Sequence, residues 1–147
     1  MKVKLICEKS KYNILKEELA RKGLEVVEDS KYLFIDTSSD NNQIKIVSKG
    51  EIIILNTLDI VAVESFDHDI FIYLLKDEII TRTPLKEIKL LLNDRFIQIS
   101  QSVIINKNCV KKIKSAFNYR FIVYMSNGKE FTVTKTYYYK FIEEMEL

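Results

Sequence analysis

The sequence predicts an α+β protein, mainly antiparallel β: one β-sheet domain with two short helices, preceded by a small β-α-β-β module. Three observations point there. Strand-length apolar runs separated by turn signals fill most of the chain beyond residue 43, and apolar residues recur at helical spacing in only three short segments. One purely polar stretch, Ser38-Ser39-Asp40-Asn41-Asn42, interrupts the pattern and is taken as the boundary between residues 1–42 and residues 43–147. The length of 147 residues suits one domain with a small appendage, able to bury about 68–70% of its unfolded surface. With 47% hydrophobic and 30% charged residues, three Gly and one Pro, the chain should be ordered nearly throughout.

Lys2–Cys7 is β-rich. From Ser10 or Lys11 onward, Tyr12, Leu15, Leu19 and Ala20 lie at helical spacing, and Gly23 stands where a C-cap would. Leu24–Glu28 and Tyr32–Thr37, on either side of the turn-like Asp29-Ser30, are expected to be strands that complete the β-α-β-β module. Beyond the boundary, Ile44–Ser48 and Glu51–Leu55 flank Lys49-Gly50, Ile60–Phe66 and Ile70–Leu75 flank Asp67-His68-Asp69, and Glu78–Arg82 returns after Lys76-Asp77. These are signatures of antiparallel hairpins. Thr83-Pro84 offers a cap and a first-turn proline to a helix with Leu85, Ile88, Leu91 and Leu92 on its apolar face. Phe96–Ser100 alternates apolar and polar residues, Val110–Ser115 is a lysine-rich, edge-like strand, and Arg120–Met125 meets Glu130–Val133 at Asn127-Gly128. A last helix bears Tyr138, Phe141, Ile142 and Met145, with Thr134 or Thr136 as its cap.

Catalysis finds little support, and an enzyme is not expected. His68 is the one histidine and stands beside no Ser or Cys nucleophile motif. Gly23, Gly50 and Gly128 are scattered singly, so no loop cradles phosphate. Asp67-His68-Asp69 reads as a solvated turn: three consecutive residues do not easily converge on one ion, and no second histidine exists. Asp36 reads as a strand-end residue, because the acidic pair, later lysine and five-fold βα succession of a phosphorylation-dependent receiver do not fit into 45 residues. Cys7 and Cys109 are far apart and are expected to be reduced, partly buried thiols. No cofactor or metal is called for. The longest apolar runs stop far short of the roughly 20 residues that span a bilayer, and Met1-Lys2-Val3-Lys4 lacks the apolar stretch of a signal peptide. A cytoplasmic location is expected.

Net charge is +2 but unevenly spread. Residues 1–45 sum to +1, residues 46–94 to −4, residues 95–140 to +8 and residues 141–147 to −3. Within 95–140 the sole acid, Glu130, faces nine cations: Arg95, Lys107, Lys111, Lys112, Lys114, Arg120, Lys129, Lys135 and Lys140. Such a segment suits a polyanion.

Four ordered fragments between residues 58 and 137 match a family pattern. Leu58-Asp59-Ile60-Val61-Ala62-Val63-Glu64-Ser65 resembles "D-I-x-x-I-E-(S/A)", and Thr83-Pro84-Leu85-Lys86-Glu87-Ile88 resembles "x-x-L-K-E-L". Arg95-Phe96-Ile97-Gln98-Ile99-Ser100-Gln101-Ser102-Val103-Ile104-Ile105-Asn106 resembles "R-F-x-R-I-H-R-S-x-x-V-N". Asn127-Gly128 with Phe131-Thr132-Val133-Thr134-Lys135-Thr136-Tyr137 resembles "N/D-G…I-x-V-S-R-x-Y". On these motifs, residues from about 46 to 147 resemble the LytTR (LytR/AlgR-type) DNA-binding domain, a mainly β module of many bacterial response regulators.

That resemblance implies a transcription regulator that binds double-stranded DNA sequence-specifically. In this family, loops at one edge of the β-sheets enter successive major grooves. Gln101 falls where the family often has a base-reading Arg or Asn, and Gln pairs bidentately with adenine N6 and N7. Lys135 falls where the family often has Arg; it keeps the charge without the planar fork and so suits phosphate more than base. Thr134 belongs to the same matched segment. Ser100 and Ser102 flank Gln101 and would either hold phosphates or form a turn. His68 sits in a loop that corresponds to another groove-contacting loop, where its flanking acids would repel the duplex. Lys107, Lys111, Lys112 and Lys114 would attract phosphate, although alternation along a strand sends some to the far face. Asn106 is expected to cap a turn, and Tyr137-Tyr138-Tyr139 with Phe141 to pack a core.

The expected partner is duplex DNA bearing paired direct repeats, occupied by two protomers, with a homodimer as one way of supplying them. The rival reading is a protein-interaction module whose basic face docks an acidic protein partner. Residues 1–42 carry no ligand motif; dimerisation, control by a partner and structural support are all open for them.

Overall fold

The computed structural model describes residues 1–36 and 42–147. Apart from Asn42, the polar stretch expected at the boundary lies outside the described residues, as does Thr37 at the end of an expected strand. The chain divides into two compact units, Met1–Asn41 and Asn42–Leu147.

The first unit contains β1 (Lys2–Ile6), α1 (Tyr12–Arg21), β2 (Glu25–Val26) and β3 (Leu33–Ile35). Its sheet order is β2-β1-β3, and β1 pairs with both neighbours in parallel. The inward alternates of β1, Val3 and Leu5, meet Leu19 of α1 and Val26 of β2 in a small core. Gly23 ends α1 as its sequence position suggests. Its φ of +83° lets its N–H reach Ala20 O while the Leu24 N–H reaches Leu19 O, which satisfies two carbonyls that the helix leaves open.

The second unit is antiparallel throughout. β4 (Gln43–Ser48) and β5 (Glu51–Asn56) form a hairpin. β6 (Ile60–Phe66), β7 (Asp69–Leu74), β8 (Glu78–Thr81), β9 (Phe96–Gln98) and β10 (Val103–Asn106) form a five-stranded sheet in the order β8-β7-β6-β10-β9. A third sheet has the order β11-β12-β13, from β11 (Val110–Ala116), β12 (Arg120–Met125) and β13 (Glu130–Val133). Two helices accompany them, α2 (Leu85–Leu91) and α3 (Tyr138–Met145).

The five-stranded sheet is buried on both faces. On one side Val61, Ala62, Tyr73, Val103 and Ile105 pack against Phe121, Val123, Phe131, Val133 and Phe141 of the third sheet and α3. On the other, Ile60, Val63, Ile70, Ile72 and Ile104 pack against Ile44, Ile46 and Leu55 of the hairpin and Ile88 of α2. An irregularity between Ile60 and Ala62 puts Val61 and Ala62 into the same core, as a bulge does. Side-chain hydroxyls tie the hairpin to β8: Thr81 Oγ1 donates to Val47 O at 2.7 Å, and Ser48 Oγ donates to Ile80 O.

Three details depart from the sequence-based expectation. No strand was expected over 103–106, yet β10 lies between β6 and β9. Its four residues are all buried, so no apolar-polar alternation marks it. α2 begins at Leu85 with Pro84 at its cap position, and no side chain caps it; Thr83 instead bonds with the Thr81 hydroxyl. Neither Thr134 nor Thr136 caps α3, because a 3-10 turn at Lys135–Tyr137 leads into the helix.

Candidate nucleic-acid interface

Four loops are joined at one edge of the second unit by specific contacts. The first is the turn from β6 to β7, where Asp67 and His68 have φ of 50° and 66°, the left-handed pair that a two-residue hairpin requires. Just before that turn, the Ser65 N–H donates to Ser102 O at 2.8 Å, which sets it beside the loop from β9 to β10. The Ile99 N–H closes that loop onto Val103 O at 3.0 Å, and Ile99 O accepts from the Thr134 N–H at 3.0 Å. Thus Ser100, Gln101 and Ser102 come beside Thr134 and Lys135, although 35 residues of chain separate Ile99 from Thr134. Finally, Lys135 Nζ lies 5.8 Å from the centre of the Tyr119 ring, in the turn from β11 to β12.

Within the loop from β9 to β10 the side chains divide their work. Ser100 is buried, and its Oγ accepts from the Ser102 N–H at 3.2 Å. Ser100 O accepts from Gln98 Nε2 at 2.9 Å, while Gln98 Oε1 accepts from Lys89 Nζ of α2 at 2.8 Å. Gln101 is exposed at the tip of a loop fixed from three sides. Thr134 is half-buried, with Oγ1 3.5 Å from Ile99 O, and Lys135 is exposed. His68 is exposed as well. One of the two acids that flank it, Asp69, has Arg82 Nε at 3.8 Å, on a side chain 92% exposed. A solvated pair of this kind adds little stability but offsets a charge that would repel phosphate.

Lys107 is not brought to this edge. It follows the opposite end of β10 from Ser102, and its Nζ meets Glu144 Oε2 of α3 at 3.1 Å. Asn106 beside it is a turn cap: Oδ1 accepts from the Asn108 N–H at 3.0 Å, and Nδ2 donates to Ile60 O at 2.9 Å. On β11, where a register irregularity falls between Val110 and Lys112, Lys111, Lys112 and Lys114 are all exposed. Lys112 Nζ sits 4.3 Å over the Tyr124 ring. In the tyrosine run, Tyr138 stacks on Phe121 at 4.8 Å and Phe141 is fully buried, whereas Tyr139 is exposed.

A shallow cleft of about 360 Å³ lies beside these loops, lined by Ser100, Ser102, Ile122, Thr132 and Thr134. Glu64 and Glu130 also border it, and their carboxylates disfavour phosphate there. Glu64 Oε1 accepts from Tyr73 Oη at 2.7 Å. Burial first, and then that bond, raise the Tyr73 phenol well above its ordinary range.

Sequence reasoning missed two parts of the edge. Arg82 reaches Asp69 because Thr81 pairs with Ile70 across the strands, and no local motif announces such a contact. The turn from β11 to β12, at Phe117-Asn118-Tyr119, was only a gap between expected strands; the acid-free run from 95 to 129 around it was the available signal.

Among the described residues, no group of three or more His, Cys, Asp or Glu side chains is placed to hold a metal ion, and no helix is long and apolar enough to cross a membrane. No curated protein matches the chain. One similar solved structure is the LytTr DNA-binding domain of a protein described as a methyl-accepting/DNA response regulator from Bacillus cereus. It superposes with a TM-score of 0.65 at 21% identity, covering 72% of this chain and 98% of that one, which is agreement of fold. The family model for the LytTr DNA-binding domain matches residues 50–146, a stretch that takes in the five-stranded and three-stranded sheets, α2 and α3. With two thirds of its length inside that match and the ordered motifs in place, this chain belongs to the LytTr DNA-binding domain family, one of DNA-binding regulators.

Proposed function

We propose that the protein is a transcription regulator that binds duplex DNA sequence-specifically, with the loops of this edge entering successive major grooves. One observation supports it above the others: the bond from the Thr134 N–H to Ile99 O assembles Gln101 and Lys135, remote in sequence, into one exposed surface. Gln101 reads adenine N6 and N7, and Lys135 holds a phosphate. Ser100 shapes the loop, while Ser102, Thr134 and His68 lie within reach of the same duplex. Lys111, Lys112 and Lys114 add sequence-independent attraction. Lys107, already engaged by Glu144, is the weakest member of the set. Two protomers on paired direct repeats remain part of the proposal, as does the division of labour between residues 1–42 and 43–147.

Selection of the full chain against a randomised duplex pool tests this. Enrichment of a motif containing adenine supports the reading. Failure to enrich any duplex, with capture of an acidic protein instead, would favour the protein-interaction alternative.

A further inference from the structure

Phe117 is 90% exposed, the most exposed of the large apolar side chains among the described residues. Single exposed apolar residues are ordinary, so exposure alone decides nothing. Its setting does. Asn118 and Tyr119, which follow it, both have left-handed backbones, with φ of 58° and 56°, an uncommon state for a bulky aromatic. The turn is braced in that state. The Tyr119 ring meets Tyr138 edge-on at 5.5 Å and Tyr139 at 6.4 Å, and Arg120 Nη1 donates to Asn118 O at 3.4 Å. Phe117 is therefore held outward by a rigid support, not left on a loose loop.

Its surroundings are cationic. Lys114 and Arg120 lie on the strands that the turn joins, and Lys135 stands over Tyr119. No acid occurs between residues 95 and 129. Phe117 and the exposed Tyr119 and Tyr139 form an aromatic tip with cations on the flanking strands and no acid in the surrounding run, whereas charged residues are depleted at the centre of protein interfaces. Such a tip suits a polyanion that also offers an apolar group, and in the major groove that group is the C5-methyl of thymine.

We infer that the turn from β11 to β12 is a further DNA-contacting element, in which Phe117 packs against a thymine methyl and Tyr119 serves as a positioning residue for both Phe117 and Lys135. This rests on the DNA-binding reading above. It extends that reading to a base preference at the flank of the site.

The test uses the full chain and a duplex recovered by selection. Each thymine is replaced singly by deoxyuridine, which removes only the methyl, and affinity is measured for the wild type and for Phe117→Ala. At one thymine, loss of the methyl should weaken the wild type about 3- to 5-fold and leave Phe117→Ala nearly unchanged. Equal responses of the two proteins at every thymine would overturn the contact, as would identical affinities and selected motifs. Tyr119→Ala should lower affinity and also reduce the methyl effect; a Tyr119→Ala protein with the full methyl effect removes the positioning role. If no duplex is enriched at all, the DNA-binding reading fails too, an outcome distinct from a bound duplex indifferent to Phe117.

Discussion

Gln101 owes its placement to its neighbours. The serines on either side are joined through the Ser102 N–H and the Ser100 hydroxyl, and Gln98 fixes the Ser100 carbonyl, so the amide of Gln101 is presented without a loop to reorganise. Gln101→Ala should cost about 1–3 kcal/mol of discrimination at one base pair, measured as affinity for the selected duplex against its single-pair variants. Asn106 is the opposite case, a polar side chain spent on the fold. It is 2% exposed and bonded through both amide atoms. Asn106→Ala should therefore lower stability by about 1–3 kcal/mol, because Ile60 O loses a buried donor; denaturant titration would show it. Tyr73 supplies a pH dependence. Burial and the Glu64 bond raise its folded-state pKa above its unfolded value near 10. Its contribution is intact below that value and is lost as pH rises above it, since the unfolded chain then releases a proton that the folded chain retains. Melting temperature should fall more steeply above about pH 10 in the wild type than in Tyr73→Phe.

At the scale of elements, legibility follows burial. Strands with one wet face were plain in the sequence: β12, with burial alternating along Arg120–Met125, and β13, with its two inward residues, fell where alternation put them. β10 did not: the two covered faces of its sheet remove the polar alternates, and it is only four residues long, unlike β6, equally buried at its start but longer and followed by the Asp67-His68-Asp69 turn signal. The same burial makes β10 energetically central. Ile104→Ala should destabilise by about 2–5 kcal/mol, while Lys111→Ala on the exposed edge should stay within about 0.5 kcal/mol, both read by equilibrium unfolding. Helix caps were the other miss. Thr83 and Thr134 have the right chemistry, but Thr83 lies with the Thr81 hydroxyl and Thr134 beside Ile99 O, so tertiary contacts outweighed local capping. In the candidate site, motif order nominated Gln101 and Lys135, which the fold places on one edge, whereas the contact of Arg82 with Asp69 depends on cross-strand pairing that no short window contains.

For the whole molecule, the near-neutral total conceals its distribution. The +8 segment comprises β9 to β13 and the start of α3, and the −4 segment comprises the hairpin through α2. Charge is thus sorted by element, and the three exposed lysines of β11 extend the cationic surface away from the loops. Replacing Lys111, Lys112 and Lys114 together by Gln should reduce the slope of log affinity against log salt by about 0.9 for each phosphate that one of these ammonium groups neutralises. Base preference should not change, since phosphate contacts position the protein and do not specify sequence. Lys107→Gln should leave the slope nearly unaltered, because Glu144 already neutralises that ammonium.

Reading by Gln101 is the claim on which the rest depends. It is tested most directly by the affinities of wild type and Gln101→Ala for a selected duplex in which each base pair is changed in turn at fixed salt. We expect the wild type to lose about 1–3 kcal/mol at one A·T pair and Gln101→Ala to lose little at that same pair. Equal losses for both proteins at every position would show that Gln101 reads no base and would contradict the claim.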